Sequence, residues 1–131
     1  MSTLNLTAET FETTVNQKGI VLIDWWAEWC GPCKAFGPVY EKVSNAHPEA
    51  VFAKIDTEEQ RGLAASFEVR AIPTLSILRD GVLLFHKAGM LPAKALEDLL
   101  RQTGELDMEK VKAEIAAEQA KGKGAPASAD A

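Results

Sequence analysis

Two thiols separated by two residues stand in the segment Trp29-Cys30-Gly31-Pro32-Cys33-Lys34, and the chain has no other cysteine. A bridge between them closes almost no loop, so it gains little of the loop-closure entropy that makes structural disulfides stabilising. A pair at this spacing therefore points to redox chemistry. The segment follows a strand-like run and opens a stretch of helical spacing, which predicts Cys30 at a helix N-terminus. Free N–H groups and the helix dipole there favour an anion, so Cys30 is expected to form a thiolate near neutral pH and to act as the attacking nucleophile. Cys33, one helical turn later, lies on the same face and is expected closer to the core, within reach of the first sulfur but shielded from outside reagents. It is read as the thiol that resolves a mixed disulfide. Pro32 at an early helical position sacrifices no hydrogen bond and, with Gly31, fixes the turn that keeps the sulfurs at bonding distance.

A zinc site is the blander alternative and needs about four ligands. Besides the two cysteines the chain offers His47 and His86, far apart and not at paired spacing, so no metal is expected. Two inert core cysteines would fit poorly in a Gly-Pro turn flanked by tryptophan. Asp24 is the other residue that calls for chemistry, because it interrupts the apolar run Ile-Val-Leu-Ile-Asp-Trp-Trp over residues 20–26. A lone carboxylate in such a strand carries a desolvation cost of several kcal/mol unless it is paired or protonated, and that cost suggests a function.

The elements that must position these groups follow from periodicity. Residues 20–26 form a nearly continuous apolar run rich in β-branched and aromatic side chains, as expected of a central strand covered on both faces. Residues 51–55 predict a second strand. Residues 74–79 and 82–87, joined by Asp80-Gly81, predict an antiparallel hairpin, and residues 3–6 a weak first strand. Thr7 can cap a short helix carrying Phe11 and Val15. A second helix runs over residues 31–46 with Phe36, Val39, Tyr40 and Val43 at helical spacing, bent at Pro38. A third covers residues 58–67, and a fourth starts at Pro92 with Leu96, Leu99 and Leu100 behind it. The order β-α-β-α-β-α-β-β-α indicates an α/β fold with a mixed central sheet flanked by helices on both faces.

A chain of 131 residues with 47% hydrophobic side chains suits one domain with its own core. A net charge of −5 leaves no basic field for nucleic acid. The first residues lack the basic and apolar regions of a signal peptide and no apolar run is long enough to span a bilayer, so a cytoplasmic protein without membrane contact is expected. Composition changes near Thr103-Gly104, which predicts a domain over residues 1–104 and an extension over 105–131. In the extension Leu106, Val111 and Ile115 lie among charges and alanines, an expected solvated helix over residues 105–121, and Gly122-Lys123-Gly124-Ala125-Pro126 starts a flexible tail.

The hexapeptide at 29–34, preceded by Asp24 and Trp26-Ala27-Glu28, resembles the thioredoxin family, as do Pro38, Lys54-Ile55-Asp56, Arg70-Ala71-Ile72-Pro73-Thr74, Asp80-Gly81 and Gly89. The resemblance covers residues 1 to about 104. It implies a thioredoxin fold and a dithiol that reduces disulfides of cytosolic client proteins and is recharged by a thioredoxin reductase, acting as a monomer with a redox-active disulfide and no other cofactor. It also implies that Pro73 is cis and packs against the cysteines, and that Asp24 accepts the proton of the resolving thiol with Lys54 nearby. The competing reading of Asp24 is a carboxylate satisfied by Lys54 alone. Trp29, Ile72, Pro73 and Gly89 are expected to rim the client site, with an extended client segment paired beside Pro73, and Trp26 to be mostly core. Gly-Pro between the cysteines matches the reducing branch of the family. Three features depart from the pattern: Trp25 in place of the common Phe, Met90 after Gly89, where a smaller residue is usual, and the extension. A rival reading from another class is a binding module of this fold that holds a partner, although a pure scaffold has no need of Cys33.

Overall fold

The computed structural model describes residues 3–121. Its centre is a strand, β2 (Ile20–Trp26), whose side chains alternate between two cores. Leu22 meets Phe52, Leu75 and Ile77 under Phe36, Tyr40 and Val43 of α2 (Gly31–Ala46) and Leu96 and Leu100 of α4 (Ala93–Glu105). On the other face, Ile23 and Trp25 join Ala53, Ile55 and Leu78 under Phe11 and Val15 of α1 (Ala8–Val15) and Ala64 of α3 (Arg61–Ser66). Burial on both faces is why this strand reads as a nearly continuous apolar run, broken only at Asp24, rather than an alternation. The remaining strands are β1 (Thr3–Asn5), β3 (Val51–Asp56), β4 (Thr74–Arg79) and β5 (Val82–Ala88), in the sheet order β1-β3-β2-β4-β5. β3 lies parallel to β1 and β2, while β4 runs antiparallel to both β2 and β5. The expected mixed sheet with helices on both faces is therefore present.

Trp25 brings an indole N–H into the core. It donates to Ser76 Oγ at 2.9 Å, and Ser76 lies 2.7 Å from His86 Nδ1 on β5. An orphaned donor here would cost about 1–3 kcal/mol, so the serine is the condition for the tryptophan.

The far end of the sheet is the β4–β5 turn. Asp80 and Gly81 take φ of 54° and 82°, the left-handed pair that a two-residue hairpin needs to match strand twist. Gly19 N–H donates to Asp80 Oδ1 at 2.8 Å and Asp80 N–H donates to Gly19 O at 3.0 Å, closing the turn onto the segment before β2. The Gly19 bond is the first cause holding the Asp80 carboxyl below its ordinary range.

Two helix boundaries differ from expectation. The third helix starts at Arg61 rather than at residue 58, because Asp56 Oδ1 accepts from the N–H groups of Glu58 and Glu59 and holds that stretch as a turn. The extension also begins differently. Residue 105 still belongs to α4, Leu106 is extended, and α5 (Met108–Lys121) starts after Asp107, whose Oδ1 accepts from the N–H groups of Glu109 and Lys110. Its start is anchored on the domain: Met108 is buried, and just before it Arg79 Nη1 donates to the carbonyls of Thr103, Gly104 and Leu106 at 2.8, 3.3 and 3.0 Å. Lys112 Nζ reaches within 3.9 Å of Asp80. Past Val111 the helix is exposed, and the segment 122–126 expected as a flexible tail lies outside the described residues. Among the described residues no helix is long and apolar enough to cross a membrane.

Candidate active site

Every strand-end loop that matters converges where β2 stops and α2 starts. Cys30 is the N-cap of α2 with an extended backbone, and Gly31 and Pro32 form the exposed first turn, where a proline leaves no donor unpaired. The two cysteines are joined as a disulfide, with Cα atoms 5.2 Å apart, and Cys33 N–H donates to Cys30 Sγ at 3.1 Å. That bond is the local form of the expected anion site: the same N–H would face a Cys30 thiolate after reduction. The expected difference in depth is not seen in this oxidised state, since both cysteines are 4% exposed. A disulfide ties the two sulfurs into one small cluster with Ala27, covered by Trp26 and Ile72, so their exposures converge.

Ile72-Pro73 is a cis peptide bond, and Ile72 O lies 3.7 Å from Cys30 Sγ. Pro73 is buried, Ile72 half-buried. Gly89 N–H donates to Pro73 O at 2.8 Å from a backbone φ of +112°, a conformation that only glycine adopts without strain. Ile72, Pro73 and Gly89 are thus one hydrogen-bonded wall beside the disulfide.

Trp29 is 68% exposed, yet it is not loose: its Nε1 donates to Glu58 Oε2 at 3.2 Å, and Arg61 Nη2 holds Glu58 Oε1 at 2.7 Å. Glu58 and Arg61 are absent from the sequence reading of the site. Their i,i+3 spacing with opposite charge was the available signal, but nothing local ties that pair to a tryptophan 29 residues earlier. Trp26, expected as mostly core, is half-buried, and the fully buried neighbour is Trp25.

On β2, the strand that leads to the disulfide, Asp24 is fully buried and neither carboxylate oxygen has a hydrogen-bond partner. Burial pushes its pKa up to about 7, an effect that the positive charge of Lys54 partly offsets. Lys54 faces Asp24 in register across β2 and β3, but its Nζ sits 5.0 Å from the centroid of the Trp26 ring and makes no ion pair with the carboxylate. The reading in which Lys54 alone satisfies Asp24 is therefore at odds with the geometry. Tyr40 shares this core, donating to Ala53 O at 2.8 Å, and its phenol is held well above its ordinary range by burial first and by Asp24 second.

The remaining candidates are not brought to the site. His47 caps the far end of α2 beside Glu49 and Glu97, and His86 bonds Ser76 on β5. Among the described residues no group of three or more His, Cys, Asp or Glu side chains is placed to hold a metal. The arrangement that does exist can exchange a dithiol for a disulfide: a sulfur pair at a helix N-terminus, a buried carboxyl with its pKa raised to about 7 on the preceding strand, and a partly apolar wall beside the sulfurs.

Comparison with known proteins agrees with this chemistry. The Thioredoxin family model matches residues 2–102. A Streptomyces coelicolor protein named as a thioredoxin is 52% identical over 119 residues, covering 91% of this chain and 89% of its own length. Thioredoxin of Bacillus subtilis is 35% identical over 103 residues, covering 78% of this chain and 98% of its own. The solved structure of a mutant thioredoxin from Halobacterium salinarum superposes with a TM-score of 0.73 at 35% identity, covering 80% of this chain and 93% of that one. With the cysteine pair in place at the mouth of α2, this chain belongs to the thioredoxin family and is a thiol-disulfide oxidoreductase working through Cys30 and Cys33.

Proposed function

We propose that the enzyme runs in the reducing direction on disulfides of cytosolic client proteins. The observation that carries this reading is a buried, unpartnered Asp24 whose pKa lies near the pH of the cytosol, on the strand that leads to a sulfur pair whose first member caps a helix. Cys30 thiolate attacks a client sulfur, forming a mixed disulfide and expelling the first client thiolate, which takes a proton from solvent. Cys33 then gives its proton to Asp24 and attacks Cys30 Sγ. The second client thiolate leaves, the client gains two electrons, and the enzyme is left with the Cys30–Cys33 disulfide described above. Asp24 discharges its proton to solvent, with Lys54 stabilising the carboxylate, and a thioredoxin reductase returns the dithiol.

Client contact falls on the wall of Trp29, Gly31, Pro32, Ile72, Pro73 and Gly89. The backbone of this wall lets a client pair by main chain, so many sequences can be accepted. No organic cofactor or metal enters these steps. Residues 1–104 are the catalytic unit, and 105–131 an extension without a part in the chemistry, in a protein that acts as a cytoplasmic monomer. The test is trapping: Cys33→Ser should accumulate mixed disulfides between Cys30 and client proteins that a second thiol releases, whereas Cys30→Ser should trap none. Equal trapping by both variants overturns the assignment of Cys30 as nucleophile.

A further inference from the structure

A groove of about 370 Å³ runs between β5 and α4 and includes Gly89 but neither cysteine. β5 is an edge strand, so its outer side meets no further strand. The groove floor is apolar, from Phe85, Leu91 and Leu99, which pack on the edge of the core beneath α2 and α4. Met90 stands at its mouth with 44% of its surface exposed, and Lys87, Asp98 and Gln102 supply its polar lining. Gly89 belongs both to this groove and to the wall beside the sulfurs, through its hydrogen bond to Pro73 O.

We propose that this groove is a specificity subsite that receives one apolar side chain of a client polypeptide, a few residues from the cysteine whose disulfide is being reduced. The proposal rests on the reading of Ile72, Pro73 and Gly89 as the client wall, and it names what lies beyond that wall. Continuity decides the occupant. A client sulfur at Cys30 places its chain along Pro73, and a chain continuing past Gly89 arrives at Met90 and the groove mouth. An exposed methionine suits this position because its unbranched, polarizable side chain adapts to different apolar partners. The volume admits a leucine- or phenylalanine-sized side chain rather than a folded element, so selection here acts on one residue while the main chain is read elsewhere.

The test uses the full chain with two disulfide-linked peptides that differ at one position three residues from the cysteine, Leu in one and Asp in the other, and reads the ratio of their kcat/KM values. A ratio of about ten in favour of Leu is expected from burying a leucine side chain in a half-open site. Met90→Ser removes the mouth and Ala95→Phe fills the groove from α4, so each should bring the ratio to about one. Two variants that disable the site in different ways, one stripping its mouth and one filling it, guard against a folding defect in either, and reduction of a small aromatic disulfide shows that each remains an active enzyme. Equal rates for the two peptides in the unaltered protein overturn the proposal, as does a preference that survives both substitutions. A second copy of this chain in the groove would appear as a dimer in sedimentation that Ala95→Phe returns to monomer, without peptide discrimination, and that result also overturns it. Failure to reduce any disulfide would instead strike the parent reading of the dithiol site.

Discussion

The two ends of the central sheet treat polar groups in opposite ways. At the disulfide end, both oxygens of Asp24 and the indole N–H of Trp26 are buried without partners. At the hairpin end, one guanidinium serves three carbonyls and Asp80 exchanges bonds with Gly19 through both side chain and backbone. Unpaired buried polar groups cost stability, so the first end is held in a costly state that the rest of the fold sustains. The second end is where α5 is attached, and its contacts supply stability without touching the sulfurs. Under the proposed mechanism, the first end serves reactivity and the second cohesion.

Asp24→Asn tests the first end and should give the largest effects. Release of the mixed disulfide is expected to slow by about 10²-fold, the scale of a lost general base, while initial attack by Cys30 changes less; single-turnover kinetics separate the two. Stability moves the other way. Native Asp24 has its pKa raised to about 7 from 3.8, so the folded protein holds a proton that the unfolded chain has released. The stability linked to that proton is complete below about 3.8 and is lost as pH rises through about 7. The variant should therefore gain little at pH 4 and about 2–4 kcal/mol at pH 8, a range set by 1.36 kcal/mol per pKa unit. A gain independent of pH in denaturant titrations would show that Asp24 is not the group losing its proton.

Removing residues 107–131 tests the second end. It strips the buried Met108 from the domain, so unfolding free energy should fall by about 2 kcal/mol, with the rate of disulfide reduction within about twofold of the full chain. A large loss of rate at unchanged fold would erase the distinction between the two ends. Arg79→Ala should cost about 1–2 kcal/mol in chemical denaturation, because three carbonyls at the close of α4 lose a charged donor. Lys112→Ala should be the smallest, under about 0.5 kcal/mol. Its 3.9 Å contact with Asp80 is a solvent-exposed ion pair, and raising the salt should remove what effect there is.

Much of the catalytic end is legible in sequence because its signals are local. Cys30, Pro32 and Cys33 lie within one helical turn, and Asp24 stands out by interrupting an apolar strand. Asp80-Gly81 marks its hairpin for the same reason, a backbone requirement met by adjacent residues. What escapes is set by distance along the chain. The bond from Trp29 to Glu58, the groove between β5 and α4 and the three-carbonyl contact of Arg79 each join segments that only the folded sheet brings together. Local capping at Asp107 also escapes the sequence, where the mixed charged and apolar residues from 105 onward read as one continuous helix to 121. The equal burial of the two cysteines belongs to the disulfide-bonded state, which no residue pattern encodes.

The chain of contacts from Trp25 through Ser76 to His86 bears on the order in which substitutions could accumulate in this lineage. Exchanging Trp25 for Phe first leaves the serine hydroxyl with the imidazole, so the intermediate keeps its buried polar groups satisfied. Exchanging Ser76 for an apolar residue first strands the indole N–H in a dry core, at about 1–3 kcal/mol. Of the two mutational routes to an apolar pair, one is open and the other passes through a weakened ancestor. The two positions are therefore historically contingent on each other: a serine at 76 can outlast the tryptophan, but the tryptophan does not readily outlast the serine.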